Sequence, residues 1–292
     1  MSGEKEHMTE AARSKRQRFV IWHRFKKNKQ AVVGLVVLCI FILIAVFADR
    51  IAPYWYDDQN PSRALMHPSG EFIFGTDNLG RDVLSRLIYG SRYSLMIGFF
   101  AVGISVVFGT ILGVIAGYYQ KLDNIIMRTM DLFMAIPQIL LAICIVTALG
   151  SGLFNLMLAV GLSSTPQFAR VVRASVLSTK EQEFVEAARA IGANDARIII
   201  SHILPNSLAP LIVQATLAMA RAIISASALS FLGFGIQPPE PEWGALLAAG
   251  RRFIRTHSYL TVVPGLAIMA VVYSLNVVGD GLRDALDPRL KR

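Results

Sequence analysis

The chain of 292 residues contains little cysteine and few charged side chains. Its two cysteines, Cys39 and Cys144, both fall inside apolar runs, and neither has a second Cys or a His at ligand spacing. A disulfide framework and a zinc site are therefore not indicated. Charged residues make up 17% of the sequence and hydrophobic residues 54%, a balance that argues against an ordinary soluble domain and is typical of membrane proteins.

The sequence also lacks the common motifs of nucleotide and peptide-bond chemistry. It has no G-x-x-x-x-G-K-[ST] segment to hold the phosphates of ATP and no H-E-x-x-H segment to hold a catalytic zinc. Ser163 and Ser164 lie in an apolar run without a histidine, so a serine protease is not supported. The five histidines show no metal-ligand spacing. We therefore predict that this chain is not an enzyme, that it has no catalytic or metal-binding residues and that it binds no cofactor.

Long apolar runs predict an all-α membrane protein, because a helix needs about 20 mostly apolar residues to cross a bilayer. Six runs approach or exceed this length: 31–51, 94–118, 125–149, 152–169, 209–235 and 259–279. The fourth run is the weakest, because polar residues and a proline at 163–166 dilute its second half. We predict six transmembrane helices.

Basic residues predict how these helices are oriented. Residues 1–30 carry nine Lys or Arg against three acids directly before the first run. The positive-inside rule then places both termini and the 170–208 connection in the cytoplasm, with 52–93 and 236–258 outside. We therefore attribute the net charge of +9 to the orientation of the chain in the membrane and not to nucleic-acid binding. The first run is longer than a signal-peptide core of about 7–15 residues, so an uncleaved span is expected.

The predicted topology divides the chain into five parts. They are a basic cytoplasmic segment at 1–30, the first span at 31–51, an outward-facing segment at 52–93, a five-helix core at 94–279 that includes the cytoplasmic hairpin 170–208, and a cytoplasmic tail at 280–292. Apolar residues recur at helical spacing from Val83, with Thr76 or Asp77 available as a cap. The outward-facing segment is therefore predicted to contain a helix lying on the membrane surface or, alternatively, bracing the subunit.

Two groups of residues within the spans are candidates for packing and transport. The second span repeats G-x-x-x-G, which permits close approach by another helix, at Gly109, Gly113 and Gly117. Arg221 lies about a dozen residues into the fifth span, where ionisable groups are expensive and usually functional. It either lines a pathway or extends to the membrane surface. The predicted pathway residues are Arg221, Ser225 and Ser227.

The cytoplasmic connection is patterned as two short helices around a glycine. Ser178 and Glu181 have the spacing of a capping box, and Gly192 is expected to end the first helix with a positive φ. Asn194 or Asp195 is expected to cap the second helix, which a proline at 205 ends or kinks. Neighbouring spans need only a few linking residues, so roughly thirty extra residues favour a site that binds a partner.

The connection reads EAA at 186–188, three residues, Gly192, nine residues and HILP at 202–205. This pattern resembles the EAA motif of bacterial ABC importer permeases, with His at position 202 where the usual pattern has Ile. Stretches at 74–95, 228–247 and 279–291 resemble the second permease subunit of dipeptide, oligopeptide and nickel importers. The resemblance implies a type I ABC importer permease fold whose coupling hairpin docks on an ATPase. The implied ATPase-coupling residues are Glu186, Ala187, Ala188, Gly192, His202, Leu204 and Pro205.

The resemblance further implies the pore-forming permease subunit of an ATP-driven importer for di- or oligopeptides in the bacterial cytoplasmic (inner) membrane. Its implied partners are a homologous second permease, two ATP-binding subunits that hold ATP and Mg, and an extracytoplasmic solute-binding protein. An importer of nickel or another small solute is an alternative. An ion-coupled secondary carrier is another, although the spans show no convincing acidic residue at mid-membrane depth.

Overall fold

The computed structural model describes residues 20–286. Within this range the protein consists of helices and loops without a β-strand, and an isolated bridge pairs Thr76 with Asp82. The parts of the predicted basic N-terminal segment and of the predicted C-terminal tail that fall at residues 1–19 and 287–292 lie outside the described residues.

The helices are labelled in chain order after a helical stretch at 20–27. They are α1 (Lys29–Val46), α2 (Ala48–Ile51), α3 (Val83–Tyr118), α4 (Gln120–Ala135), α5 (Gln138–Leu149), α6 (Leu153–Lys180), α7 (Glu183–Ala190), α8 (Asp195–Ile198), α9 (Leu204–Phe231), α10 (Trp243–Gly250) and α11 (Tyr259–Leu286). Short 3₁₀ turns form at Pro61–Arg63 and Arg251–Phe253, and a π-helical turn at Ile199–Ile203 joins α8 to α9.

Four helices of the described chain are long and apolar enough to cross a membrane: α1, α3, α11 and the continuous stretch Asp195–Phe231. Helices α4 and α5 meet this criterion only as a pair bent by 94°. The run at 125–149, predicted to form one transmembrane helix, is therefore divided between two helices, and whether it crosses as a single span stays a prediction. The bend follows from Pro137, which disfavours helical geometry at Ile136, where φ is −93° and ψ is 130°. The run at 152–169 lies in α6, which does not meet the same criterion, so the predicted count of six is not confirmed.

Helix α3 is longer than the predicted second span. Its 36 residues rise about 54 Å, well beyond the roughly 30 Å of a hydrocarbon core. Residues 83–93 are the first turns of this helix, so the prediction of a separate surface helix was wrong. The cap is Asp82, and neither Thr76 nor Asp77: Asp82 Oδ2 accepts hydrogen bonds from the Ser85 amide at 2.8 Å and the Ser85 hydroxyl at 2.6 Å.

Helices α3 and α6 pack closely along the glycine face of α3. A Cβ added to Gly113 would lie 2.5 Å from the carbonyl oxygen of Ala169, and one added to Gly117 would lie 2.7 Å from Val176 Cβ. Gly109 faces the fully buried Phe168. The three glycines named from the sequence therefore permit close approach of these two helices, and the surrounding apolar residues form the largest buried cluster of the described chain.

Candidate partner-docking site

The segment between α6 and α9 folds as a short helical hairpin. The capping box expected at Ser178 and Glu181 was wrong, because α6 continues through Lys180 and α7 begins only after Gln182. Packing explains the difference: buried Val176 holds the end of α6 against α3, so Ser178 lies inside a helix. Tertiary contacts outweigh a local capping signal here.

The turn of the hairpin has the geometry of a Schellman motif. The amide of Ala193 donates to the carbonyl of Ala188 and the amide of Gly192 to that of Arg189, both at 3.0 Å. Gly192 has a φ of +86°, which confirms the predicted backbone conformation. Asn194 then caps α8, its Oδ1 accepting the Arg197 amide at 2.8 Å. The turn is thus fixed by its own backbone and one side chain.

The two sides of the hairpin differ in burial. Val185, Ile198 and Ile203 are fully buried and belong to the main apolar cluster, so one side rests on the membrane helices. Three apolar side chains of the same segment are nevertheless exposed: Ile191 by 86%, Ile200 by 64% and Phe184 by 44%. Exposed apolar side chains on a polar segment are typical of a surface that binds another protein.

Residues of the EAA part of the predicted coupling motif lie on both sides of the hairpin. Glu186 and Ala187 are exposed, and Gly192 lies in the exposed turn. Ala188 is 7% exposed and packs in the apolar cluster. Within the described residues Glu186 forms no ion pair, so its carboxylate is available to a partner.

The residues of the second part of the motif lie where the π-helical turn meets α9. The ring of the half-buried His202 is 6.2 Å from that of Phe184, measured between centroids, so it contacts the opposite arm of the hairpin. Leu204 is half-buried and Pro205 is exposed. Pro205 does not end the helix: it is the second residue of α9, and the helical stretch Asp195–Phe231 continues through it directly after the π-helical turn.

Hydrogen bonds attach the hairpin to the end of α3. Asp195 accepts from the Tyr118 hydroxyl at 2.6 Å and from the Tyr119 hydroxyl at 3.4 Å. Lys180, where the hairpin begins, donates to the carbonyl of Gly117 at 2.9 Å. Desolvation and then the charge of Asp195 raise the pKa of Tyr119. Tyr118 and Asp195 are 77 residues apart in sequence, and no sequence pattern pointed to this contact.

Ion pairs link α4 to the second half of α6. Arg173 binds Asp123 through two hydrogen bonds of 2.5 and 2.6 Å. Arg170 binds Asp131 at 2.7 Å, although both side chains are about half exposed. The bidentate pair fixes orientation as well as distance. These bonds hold α4 against α6, the helix that precedes the hairpin.

The predicted pathway residues do not share one face of α9. Arg221 is exposed and Ser225 half-buried, four residues apart and therefore on one side of the helix. Ser227 is buried on another side, beneath α10, with its hydroxyl 3.5 Å from Glu242 Oε1. The structure therefore separates Ser227 from the other two, and a transport role for Arg221 and Ser225 stays a prediction.

Two histidines that are distant in sequence are neighbours in the structure. The rings of His67 and His257 stack with centroids 4.8 Å apart. No cluster of three or more His, Cys, Asp or Glu suited to a metal occurs between residues 20 and 286. The pair therefore supplies two possible ligands, fewer than a structural metal site requires.

Comparison with known proteins identifies the fold and then the family. A solved structure of the MetNI methionine ABC transporter matches with a TM-score of 0.56 and 20% identity, covering 69% of this chain and 96% of that chain. The protein thus has an ABC importer permease fold. Residues 17–68 match the N-terminal TM domain of oligopeptide transport permease C, and residues 105–292 match the binding-protein-dependent transport system inner membrane component. The chain belongs to this family of binding-protein-dependent transport permeases and is a multi-pass membrane protein.

Curated relatives match nearly the whole chain. It is 51% identical to a dipeptide transport system permease protein of Alkalihalophilus pseudofirmus, with 92% of this chain and 88% of the relative covered. It is 45% identical to a di/tripeptide transport system permease protein of Pseudomonas aeruginosa, with 92% and 91% covered. The motifs that resembled peptide importers in the sequence analysis are thus supported by similarity over 92% of the chain.

Proposed function

We propose that this chain is a pore-forming subunit of an ATP-driven importer for dipeptides. The observation that carries this proposal is 51% identity over 92% of the chain to a dipeptide permease, together with a fold in which the hairpin projects from the membrane helices. The family model for oligopeptide permeases matches the N-terminal part, so longer peptides are the second substrate to test.

The proposed topology has six crossings. They are α1, α3, the bent pair α4–α5, the first part of α6, α9 and α11. An even number of crossings returns the chain to the side on which it began, and the basic residues at 1–30 favour the cytoplasm for that side. The hairpin then also faces the cytoplasm, where ATP is available. The short α10 and the 52–82 segment face outward in this arrangement.

The proposed occupant of the hairpin surface is an ATP-binding subunit. The exposed Phe184, Ile191 and Ile200 supply apolar contacts, and the unpaired Glu186 supplies a charge for a polar or basic part of the partner's groove. The opposite side of the hairpin is anchored in the main apolar cluster, so force applied to the exposed side reaches the membrane helices. Two ATP-binding subunits, a homologous second permease and an extracytoplasmic solute-binding protein complete the proposed importer.

Affinity capture tests this assembly. The tagged chain is extracted from native membranes in mild detergent, the bound proteins are identified by mass spectrometry, and ATP hydrolysis is measured on the same sample. Recovery of a second permease and ATP-binding subunits, with hydrolysis, is the expected result. Recovery of the chain alone and without hydrolysis, under conditions that preserve a known ABC transporter, would favour an ion-coupled carrier and contradict the proposal.

A further inference from the structure

The inner end of α3 is joined to the hairpin only through non-covalent contacts. Helices α6 and α9 are covalently continuous with the hairpin, so any displacement of the hairpin moves them directly. Helix α3 instead meets it through the bonds from Tyr118 and Tyr119 to Asp195 and from Lys180 to the carbonyl of Gly117. Hydrogen bonds to a charged group are short and directional, whereas apolar side chains slide past one another more easily.

The placement of Asp195 strengthens this attachment. It is the first residue of α8, and its neighbour Asn194 already caps that helix. The carboxylate of Asp195 is therefore not used for capping and is directed to the two phenols. A clamp is thus formed by Asp195, Tyr118 and Tyr119, and we call these three residues the inner clamp.

The other end of α3 is fixed to the outward-facing α10. Trp243, which is fully buried, donates its indole N–H to the carbonyl of Leu87 at 3.0 Å. Its amide donates to Ser94 Oγ at 3.3 Å, and that hydroxyl lies 3.5 Å from the almost fully buried Glu242. A Cβ on Gly90 would lie 2.8 Å from Trp243 Cδ1, so backbone and indole are in close contact. The first turns of α3 and the start of α10 therefore form one packed unit.

Between these two attachments α3 is one unbroken helix. Its 36 residues contain no proline, and no break interrupts it between the clamp and Leu87. Kinks normally need a proline, a Gly/Ser pair, a π-bulge or an inserted group. The pair Gly90–Ser91 lies within the part of α3 that is packed against Trp243, so the rest of the helix can transmit displacement along its axis. The packed glycine face toward α6 restrains α3 sideways along the same length.

We propose that α3 couples the cytoplasmic hairpin to the outward-facing α10, and that the inner clamp is the attachment through which ATP-driven movement of the hairpin enters α3. This inference rests on the proposed function, because it assumes that a partner moves the hairpin. Tyr118, Tyr119 and Asp195 are positioning residues that contact neither peptide nor nucleotide. Breaking the clamp should leave the ATP-binding subunits docked and uncouple hydrolysis from transport.

The test uses the intact complex in proteoliposomes with the double variant Tyr118→Phe and Tyr119→Phe. Recovery of ATP-binding subunits and ATP hydrolysis should remain within about twofold of wild type, and the number of peptides imported per ATP should fall at least about tenfold. Asp195→Asn should behave similarly but less severely, since its amide oxygen still accepts one bond. Tyr273→Phe is the matched control, because this exposed phenol forms no hydrogen bond within residues 20–286.

A second readout reports movement directly. In a background with Cys39→Ser and Cys144→Ser, Ala249→Cys places a thiol on an exposed position of α10. ATP should change its rate of alkylation in the otherwise wild-type complex and leave it unchanged in the double phenylalanine variant. A merely structural role for the tyrosines would not remove this nucleotide response.

Different failures identify different errors. If the wild-type complex neither hydrolyses ATP nor imports peptide, the proposed function fails. If the wild type imports peptide and the double phenylalanine variant imports the same number per ATP, the inner clamp does not couple and the inference alone fails. Loss of the ATP-binding subunits from the variant would also overturn it, because the tyrosines would then act in docking.

Discussion

Replacing Gly113 by alanine tests the close packing of α3 against α6. The added methyl group would lie 2.5 Å from the carbonyl oxygen of Ala169 and 2.7 Å from Val172 Cβ. A Cβ is essentially never found within 3.0 Å of a heavy atom of another, non-adjacent residue, so one helix must move. The nearest atom belongs to the backbone of α6, which cannot swing aside as a flexible side chain can.

The expected magnitude follows from a matched substitution in the same helix. Gly103 lies on the exposed side of α3, and a Cβ added there meets nothing within 4 Å. Both Gly→Ala changes gain about 0.8–1.0 kcal/mol of helix propensity, so their difference isolates the packing cost. Overpacking a well-packed site costs about 1–3 kcal/mol. Gly113→Ala should therefore be less stable than Gly103→Ala by about that amount.

Thermal melting of the purified complex measures this difference. The fraction of the chain that stays in the monodisperse peak is followed by size-exclusion chromatography after heating. On the scale of domains of 150–250 residues, the midpoint for Gly113→Ala should lie roughly 2–12 °C below that for Gly103→Ala. Equal midpoints for the two variants would refute the inference that the helix backbones meet at Gly113.

Three further substitutions test the hairpin and the 52–82 segment. Gly192→Val should abolish transport while the spans still insert, because a β-branched residue is strained at a φ of +86°. Normal uptake by this variant would show that transport does not depend on the turn. Glu186→Lys should lower recovery of ATP-binding subunits several-fold in affinity capture, and unaltered recovery would show that Glu186 does not face them. Although burial opposes ionisation, hydrogen bonds from Gln59 and Arg81 lower the pKa of Asp57 below its ordinary 3.8. The ionised Asp57 therefore stabilises the folded state above the unfolded pKa, and this stabilisation is lost as pH falls through the lower folded pKa. Below about pH 4 the melting midpoint of wild type should fall more steeply with pH than that of Asp57→Asn. Parallel curves for the two proteins would contradict this assignment.

The turn of the hairpin could be predicted from sequence because its determinants are local. Few residue types other than glycine adopt the positive φ found at Gly192, and Asn194 accepts a hydrogen bond from an amide only three residues away. The capping box at Ser178 failed although it is equally local, since packing of Val176 on α3 extends α6 through it. A local signal determines structure only where no stronger tertiary contact competes with it.

The bend in the third apolar run could have been predicted from the sequence, but the high hydropathy of the run favoured a single span. Pro137 and its effect on Ile136 are local, yet the flanking residues are apolar enough to count as one span. The length of α3 was missed for the opposite reason. Its first turns carry charged residues, which an apolar-run criterion assigns to a separate element. Bonds over long sequence separations, such as that from Tyr118 to Asp195, leave no periodic signal at all.

ATP-driven peptide uptake tests the central claim most directly. The complex captured with this chain is reconstituted in proteoliposomes with its solute-binding protein outside and ATP inside, and accumulation of a labelled dipeptide is measured. We predict accumulation that requires ATP and is competed by unlabelled dipeptide but not by nickel. Uptake driven by an ion gradient without ATP, or ATP-dependent uptake of nickel and not of peptide, would contradict the account.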